Sequence, residues 1–140
     1  FFKFMLCCIN FAIWLSPFHK NISMRKIYFL GSCSTCIRIM KELGVSDSWE
    51  QQNIKTEKIT APQIEEMYRL SGSYESLFSR RAMKYKSMGL KDKQLSDSDY
   101  KALILEEYTF LKRPVIILEG KIFIGNSKQV VKSVIEELHA

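Results

Sequence analysis

Two cysteines, Cys33 and Cys36, lie three positions apart where a short apolar run gives way to a helical pattern. The N-terminus of a helix presents free backbone N–H groups and carries roughly half a positive charge. Both features stabilise a thiolate, the nucleophilic form of cysteine, and so lower the pKa of the nearest thiol. The spacing predicts that Cys33 attacks and that Cys36, one helical turn later, is its internal partner.

The sequence pattern around this pair predicts a strand, a helix and a second strand. The segment from Lys26 to Leu30 is rich in isoleucine, tyrosine, phenylalanine and leucine, which indicates a buried strand. From Cys36 onward an apolar stripe at helical spacing continues to a stop at Gly44. A second strand is expected within residues 48–57. This order and spacing are typical of a βαβ unit with a parallel pair of strands.

Over the next fifty residues the sequence pattern predicts helices and no strand. Thr60 is expected to cap a helix with Pro62 in its first turn. A second helix is expected over residues 74–88, and a third over residues 97–110. Aromatic residues are expected to pack between these helices and the sheet: Tyr68, Tyr85, Tyr100 and Phe110. We interpret residues of about 61–111 as a helical insertion.

The C-terminal part predicts a hairpin followed by a helix. Residues 115–118 form a β-branched run, Glu119-Gly120 makes a turn, and residues 121–124 form the second strand. Ser127 is expected to cap the last helix. The resulting order is β-α-β, helical insertion, β-β-α. It predicts an α/β, thioredoxin-like, three-layer fold with a mixed sheet.

The first 23 of the 140 residues differ from the rest, because they are almost wholly apolar. They fit a signal peptide or membrane anchor, a buried arm, or an over-extended reading frame with the true start at Met24. We expect this extension either not to be native or to be an anchor or signal. Residues 24–140 then form one domain, expected to be cytoplasmic.

Composition and cysteine usage narrow the class of protein. The net charge is +6, but no block of lysine and arginine is long enough to predict direct binding to nucleic acid. Outside the extension only two cysteines remain, which favours a redox pair over a disulfide framework. A structural zinc site needs four ligands. The remaining candidates would be Cys7, Cys8, His19 and His139, and we expect no metal.

From Met24 onward the chain resembles the ArsC/Spx family, which contains glutaredoxin-type arsenate reductases and the transcriptional regulator Spx. Four segments carry the resemblance in the family's order. They are Cys33-Ser34-Thr35-Cys36, Leu77-Phe78-Ser79-Arg80-Arg81, Lys112-Arg113-Pro114-Val115-Ile116 and Phe123-Ile124-Gly125-Asn126-Ser127. About 115 residues are covered, so the resemblance extends over the whole domain.

The resemblance implies roles for several residues. Cys33 matches the cysteine that attacks arsenate, and Arg113 matches an arginine that holds an anion beside a cis-proline, here Pro114. Arg38 is a candidate for the basic residue that lowers the pKa of the nucleophile. Arg80 and Arg81 are further candidates for anion binding. No bound cofactor is expected; glutathione with glutaredoxin, or thioredoxin, would supply the reducing thiol.

The chain also departs from the glutathione-coupled reductases. Those proteins have Cys-Gly-Thr-Ser-Arg without a cysteine at position 36, and they carry arginines near Glu75 and where this chain has Gly125-Asn126. Arg80 and Arg81 are the candidates to replace the first of these arginines. The first hypothesis is therefore an oxidoreductase acting on a small oxyanion or a thiol/disulfide substrate. The second is an Spx-like redox switch that binds RNA polymerase, and the third is a relative with an unknown thiol partner.

Overall fold

The computed structural model describes residues 24–140 and places a four-stranded sheet at their centre. The strands are β1 (Arg25–Phe29), β2 (Glu50–Asn53), β3 (Val115–Leu118) and β4 (Lys121–Ile124). Their order across the sheet is β2-β1-β3-β4. β1 runs parallel to β2 and antiparallel to β3, and β3 runs antiparallel to β4. The predictions for the N-terminal extension lie outside the described residues.

Helices cover both faces of the sheet. They are α1 (Ser34–Glu42), α2 (Ala61–Ser71), α3 (Tyr74–Leu77), α4 (Met83–Ser87), α5 (Asp97–Glu106) and α6 (Lys128–Leu138). Successive strand residues point to opposite faces, so Ile27 and Ile116 pack with α1 and α6. Tyr28 and Ile117 pack with the helical insertion on the other face. The predicted three-layer α/β fold with a mixed, thioredoxin-like sheet is confirmed.

The helix predicted over residues 74–88 is broken. α3 ends at Leu77, Phe78 is extended, and the chain resumes a helix only at α4. The break is held by pairing with the segment before β3: Ser79 N–H donates to the Phe110 carbonyl at 2.6 Å, and Lys112 N–H donates to the Leu77 carbonyl at 2.8 Å. A continuous helix through Phe78 would remove these two hydrogen bonds between the insertion and the segment before β3. The continuous-helix prediction was wrong here.

Two smaller differences concern element ends. α5 stops at Glu106 because Glu107 is extended, and a short 3₁₀ turn covers Tyr108–Phe110 where the sequence predicted more α-helix. Tyr68 is 37% exposed and stacks on Tyr74 with ring centroids 4.2 Å apart, so it does not lie in the core as predicted. The turn between β3 and β4 lies at Glu119-Gly120, as predicted, and both residues have positive φ.

Within residues 24–140 no helix is long and apolar enough to span a bilayer. Within the same residues no three histidine, cysteine or acidic side chains cluster as metal ligands would. Three of the zinc candidates, Cys7, Cys8 and His19, lie outside this range.

Candidate functional site

Cys33 is the N-cap residue of α1. Its N–H donates to the Leu30 carbonyl at 2.9 Å, and its carbonyl accepts from Ile37 N–H at 3.1 Å. The cysteine itself occupies the cap position, with extended backbone angles. The half-buried thiol therefore lies at the positive end of the helix and lines a cleft.

Asn53, at the end of β2, holds the turn that leads into α1. Its Oδ1 accepts from the backbone N–H of Gly31 and of Lys55, each at 3.3 Å. A Cβ atom at Gly31 would lie 2.7 Å from Asn53 Nδ2, so any larger residue here must displace the Asn53 side chain. The role of Asn53 in holding this turn could not be predicted, because no local sequence pattern indicates that β2 ends beside the turn.

The pKa of Cys33 lies below the ordinary value for a thiol. Burial by itself raises this pKa. The backbone N–H and the thiol of Cys36 oppose the effect of burial by donating hydrogen bonds to the thiolate. The Thr35 N–H and the Arg113 guanidinium also donate to the thiolate and lower the pKa in the same way. Because hydrogen bonds to the charged form favour it, Cys33 has the character of a nucleophile.

Cys36 has the opposite character. Its side chain is fully buried in the first turn of α1. Burial, with a smaller effect from the neighbouring Cys33 thiol, raises the pKa of this thiol to about 11, although a backbone hydrogen bond from Leu30 opposes the rise. Two thiols one helical turn apart therefore differ in acidity: the pKa of Cys33 is lowered, and that of Cys36 is raised.

Arg113 is the cation nearest to the Cys33 thiol. The Arg113-Pro114 peptide bond is cis, as the resemblance implies. The half-buried guanidinium donates to the Thr109 carbonyl at 3.5 Å and also hydrogen-bonds the Cys33 thiolate. Gly125 N–H donates to the Pro114 carbonyl at 3.0 Å, which ties this loop to the end of β4.

Cys33 opens into a cleft of about 610 Å³ between α1, the broken helix of the insertion and the β3–β4 end of the sheet. Its lining combines an apolar floor, four cations and one carboxylate. The lining residues that matter here are Phe78, Leu111, Ile124, Arg80, Arg81, Lys112, Arg113 and Glu75. The cleft therefore brings together Cys33 and three of the four predicted anion-binding arginines. Lys112, which the sequence analysis did not select, is an additional cation.

The remaining arginine, Arg38, lies elsewhere. Its side chain is 67% exposed and faces Glu42 at 3.9 Å on the outer surface of α1. It lines a separate shallow depression with Ser32 and Lys41 instead of the cleft that contains Cys33. Its predicted effect on the pKa of Cys33 stays a prediction, whereas Arg113 makes the contact with the thiolate.

Comparison with known proteins agrees with the fold. The global transcriptional regulator Spx 2 of Bacillus anthracis is 23% identical over 109 residues, which are 76% of this chain and 82% of that protein. An arsenate reductase from Vibrio cholerae has a similar structure, with a TM-score of 0.67 at 19% identity over 81% of this chain and 97% of that one. A possible arsenate reductase from Streptococcus mutans gives a TM-score of 0.60 at 28% identity over 76% and 92% of the two chains. The model of the ArsC family matches residues 28–134. The chain therefore belongs to the ArsC family.

Proposed function

We propose that the protein is a thiol-dependent oxidoreductase in which Cys33 is the nucleophile and Cys36 resolves the covalent adduct. The observation that carries this proposal is the pair of opposed pKa shifts at one helix N-terminus, with Arg113 on the Cys33 thiolate. The likeness to arsenate reductases supports the reaction class. The substrate is a small oxyanion such as arsenate, or a disulfide.

With an oxyanion the reaction has two covalent steps. The Cys33 thiolate attacks the arsenic of arsenate, an S–As bond forms, and one oxygen leaves as water after protonation. Cys36 then loses its proton and attacks the Cys33 sulfur. The S–As bond breaks with its electron pair on arsenic, so arsenic is reduced by two electrons and the two cysteines are oxidised to a disulfide. Arg113 and the helix N-terminus stabilise the incoming anion.

With a disulfide substrate the electron balance is the same. Cys33 forms a mixed disulfide with one substrate sulfur and releases the other as a thiolate, and attack by Cys36 on Cys33 releases the second. In both cases thioredoxin, or glutathione with glutaredoxin, re-reduces the pair by thiol–disulfide exchange. Such a cycle needs a reducing compartment, for which the cytoplasm is the proposed location.

Trapping of the adduct tests the assignment of attacker and resolver. The Cys36→Ser variant should accumulate a mixed disulfide at Cys33 when treated with an oxidised thiol, whereas the wild type should proceed to an internal disulfide. Mass spectrometry of the peptide that contains both positions distinguishes the two products. An adduct on Cys36 in a Cys33→Ser variant that forms as fast as the one on Cys33 would overturn the assignment.

A second candidate function is a redox switch that binds RNA polymerase. It is favoured by the likeness to a global transcriptional regulator and by the presence of Cys36 together with Gly125-Asn126. In this case formation of the same disulfide would change the affinity for the polymerase, and no small substrate would turn over.

One pair of measurements separates the two functions. Arsenate-dependent oxidation of NADPH through a thioredoxin system, with Cys33→Ser as the control, reports the enzyme. Co-purification of RNA polymerase with the oxidised but not the reduced protein reports the switch. Absence of turnover together with co-purification would reject the oxidoreductase in favour of the regulator.

A further inference from the structure

Among the described residues that line the cleft, Glu75 is the one carboxylate. Its Oε1 lies 2.5 Å from Arg80 Nη2. The same guanidinium reaches the Tyr100 hydroxyl at 3.4 Å. Tyr100 is buried against Phe78, with ring centroids 5.0 Å apart, and Phe78 is part of the cleft floor. Arg80 is therefore held at two points and its charge is neutralised within the cleft itself.

The other cations of the cleft are not neutralised in this way. Within residues 24–140, no carboxylate forms an ion pair with Arg81, Lys112 or Arg113. Lys112 and Arg113 lie on the segment before β3, whereas Glu75 and Arg80 belong to the insertion. The charge of the cleft is consequently uneven: Lys112 and Arg113 make the side before β3 positive, whereas the insertion side carries the Glu75–Arg80 ion pair and one cation, Arg81, without a carboxylate partner.

We propose that Glu75 is a specificity-determining residue that makes the Cys33 cleft discriminate against small, multiply charged oxyanions. It cancels one of the four positive charges of the cleft, so an anion that approaches Cys33 is attracted less strongly than it would be with Arg80 unpaired. This inference rests on the proposed function, in which Cys33 is the reacting thiol. It deepens that function by naming a substrate class.

The favoured class is a larger thiol or disulfide of peptide-like chemistry. Such a molecule places an anionic group near Lys112 and Arg113, an apolar part on the floor, and a hydrogen-bond donor near Glu75. The volume of the cleft agrees with this class, because about 610 Å³ falls within the range of about 300–1,000 Å³ typical of pockets that hold drug-sized ligands.

Competitive alkylation measures the selectivity directly. The full-length protein is treated with an equimolar mixture of iodoacetate, an anion, and iodoacetamide, its neutral analogue. Each reagent forms a thioether with the thiolate and releases iodide. Mass spectrometry gives the ratio of the two products at Cys33. The variant is Glu75→Gln, which keeps the shape of the side chain, and the matched control is Glu65→Gln. Glu65 is likewise 58% exposed and pairs with a cation, Lys101, at 2.6 Å outside the cleft.

We expect E75Q to raise the iodoacetate-to-iodoacetamide ratio about threefold at low ionic strength, and E65Q to leave it unchanged. The rise should disappear near 1 M salt, where the Debye length falls to about 3 Å. A ratio in E75Q equal to that of the wild type, or an equal rise in E65Q, would overturn the proposal. The rate with iodoacetamide alone reports whether Cys33 is the reactive thiol, so a failure of the proposed function would be seen separately in the wild type.

Discussion

Among single residues, Arg113 and Lys112 allow two effects on the pKa of Cys33 to be distinguished: that of a nearby positive charge and that of a direct hydrogen bond. Both are cations that line the Cys33 cleft, and they are neighbours in the chain. Of these two cations, Arg113 hydrogen-bonds the Cys33 thiolate through its half-buried guanidinium, whereas the Lys112 side chain is exposed. A hydrogen bond to the charged form of a thiol lowers its pKa more than a distant, solvated charge does.

Loss of this contact should shift the pH dependence of Cys33 reactivity. We expect Arg113→Gln to raise the pKa of Cys33, because a hydrogen bond to the thiolate is lost, and Lys112→Gln to raise it much less. The midpoint of iodoacetamide alkylation against pH measures the shift, because only the thiolate reacts. Equal shifts in the two variants would show that net charge, and not the contact, controls the thiol.

Cys36 should influence stability at alkaline pH. An unfolded thiol loses its proton near pH 8.5, whereas the pKa of Cys36 in the fold is about 11. Between these values the unfolded chain binds fewer protons than the folded one, so the free energy of unfolding falls as the pH rises. Below the lower value the contribution is fully present.

The variant Cys36→Ala lacks this titration. Its free energy of unfolding should therefore decline less steeply than that of the wild type across this window, the difference being at most about 1.4 kcal/mol per pH unit. Urea denaturation under reducing conditions at several pH values measures both slopes. Parallel slopes would mean that Cys36 ionises in the folded state as readily as in the unfolded chain.

The elements differ in how well the sequence predicts them. The strand–turn–helix around Cys33 follows from local signals, namely an apolar run, small residues and helical spacing. The break at Phe78 does not, because an apolar residue buried in an extended segment gives the same pattern as one on a helix face. The ion pair of Glu75 with Arg80 depends on that break. Residues five apart point away from each other on a continuous helix, so only the interruption after Leu77 allows them to meet.

The turn before α1 depends on a contact between elements that the sequence does not reveal. Gly31 does not have a positive φ, so alanine is acceptable to the backbone, and the obstacle is Asn53 at 2.7 Å. We expect Gly31→Ala to lower the free energy of unfolding by roughly 1 kcal/mol, because Asn53 must give up its hydrogen bonds.

The double variant tests this cause. Once Asn53→Ala has removed the obstacle, adding Gly31→Ala should cost much less than it does alone, so the two effects should not be additive. Chemical denaturation of the two single variants and the double variant gives the comparison. Additive losses would show that the cost of Gly31→Ala comes from somewhere other than this contact.

In the molecule as a whole, the helical insertion shares one core with the sheet. Phe110 is 1% exposed and stacks on Phe78 with ring centroids 5.0 Å apart. It belongs to the same buried cluster as Tyr28 of β1 and Val115 of β3. The insertion therefore folds as part of the domain, and the position of the cleft between insertion and sheet is fixed by this packing.

Truncation of Phe110 should destabilise the described domain as one unit. We expect Phe110→Ala to lower the free energy of unfolding by about 3–5 kcal/mol with a single transition. Met83→Ala, at a side chain that is 89% exposed, should change it by less than about 0.5 kcal/mol. Fluorescence and circular dichroism monitored during denaturation should coincide. Two separate transitions in F110A would show that the insertion melts independently.

The complete burial of Cys36 has a kinetic consequence for the proposed cycle. No partner reaches that sulfur from solvent, so both the oxidising substrate and the external reductant must meet the protein at Cys33. The two reactants therefore take turns at one sulfur and cannot form a ternary complex. Steady-state kinetics should accordingly give parallel lines in double-reciprocal plots, as in a ping-pong mechanism. At high concentration each reactant should inhibit the other competitively.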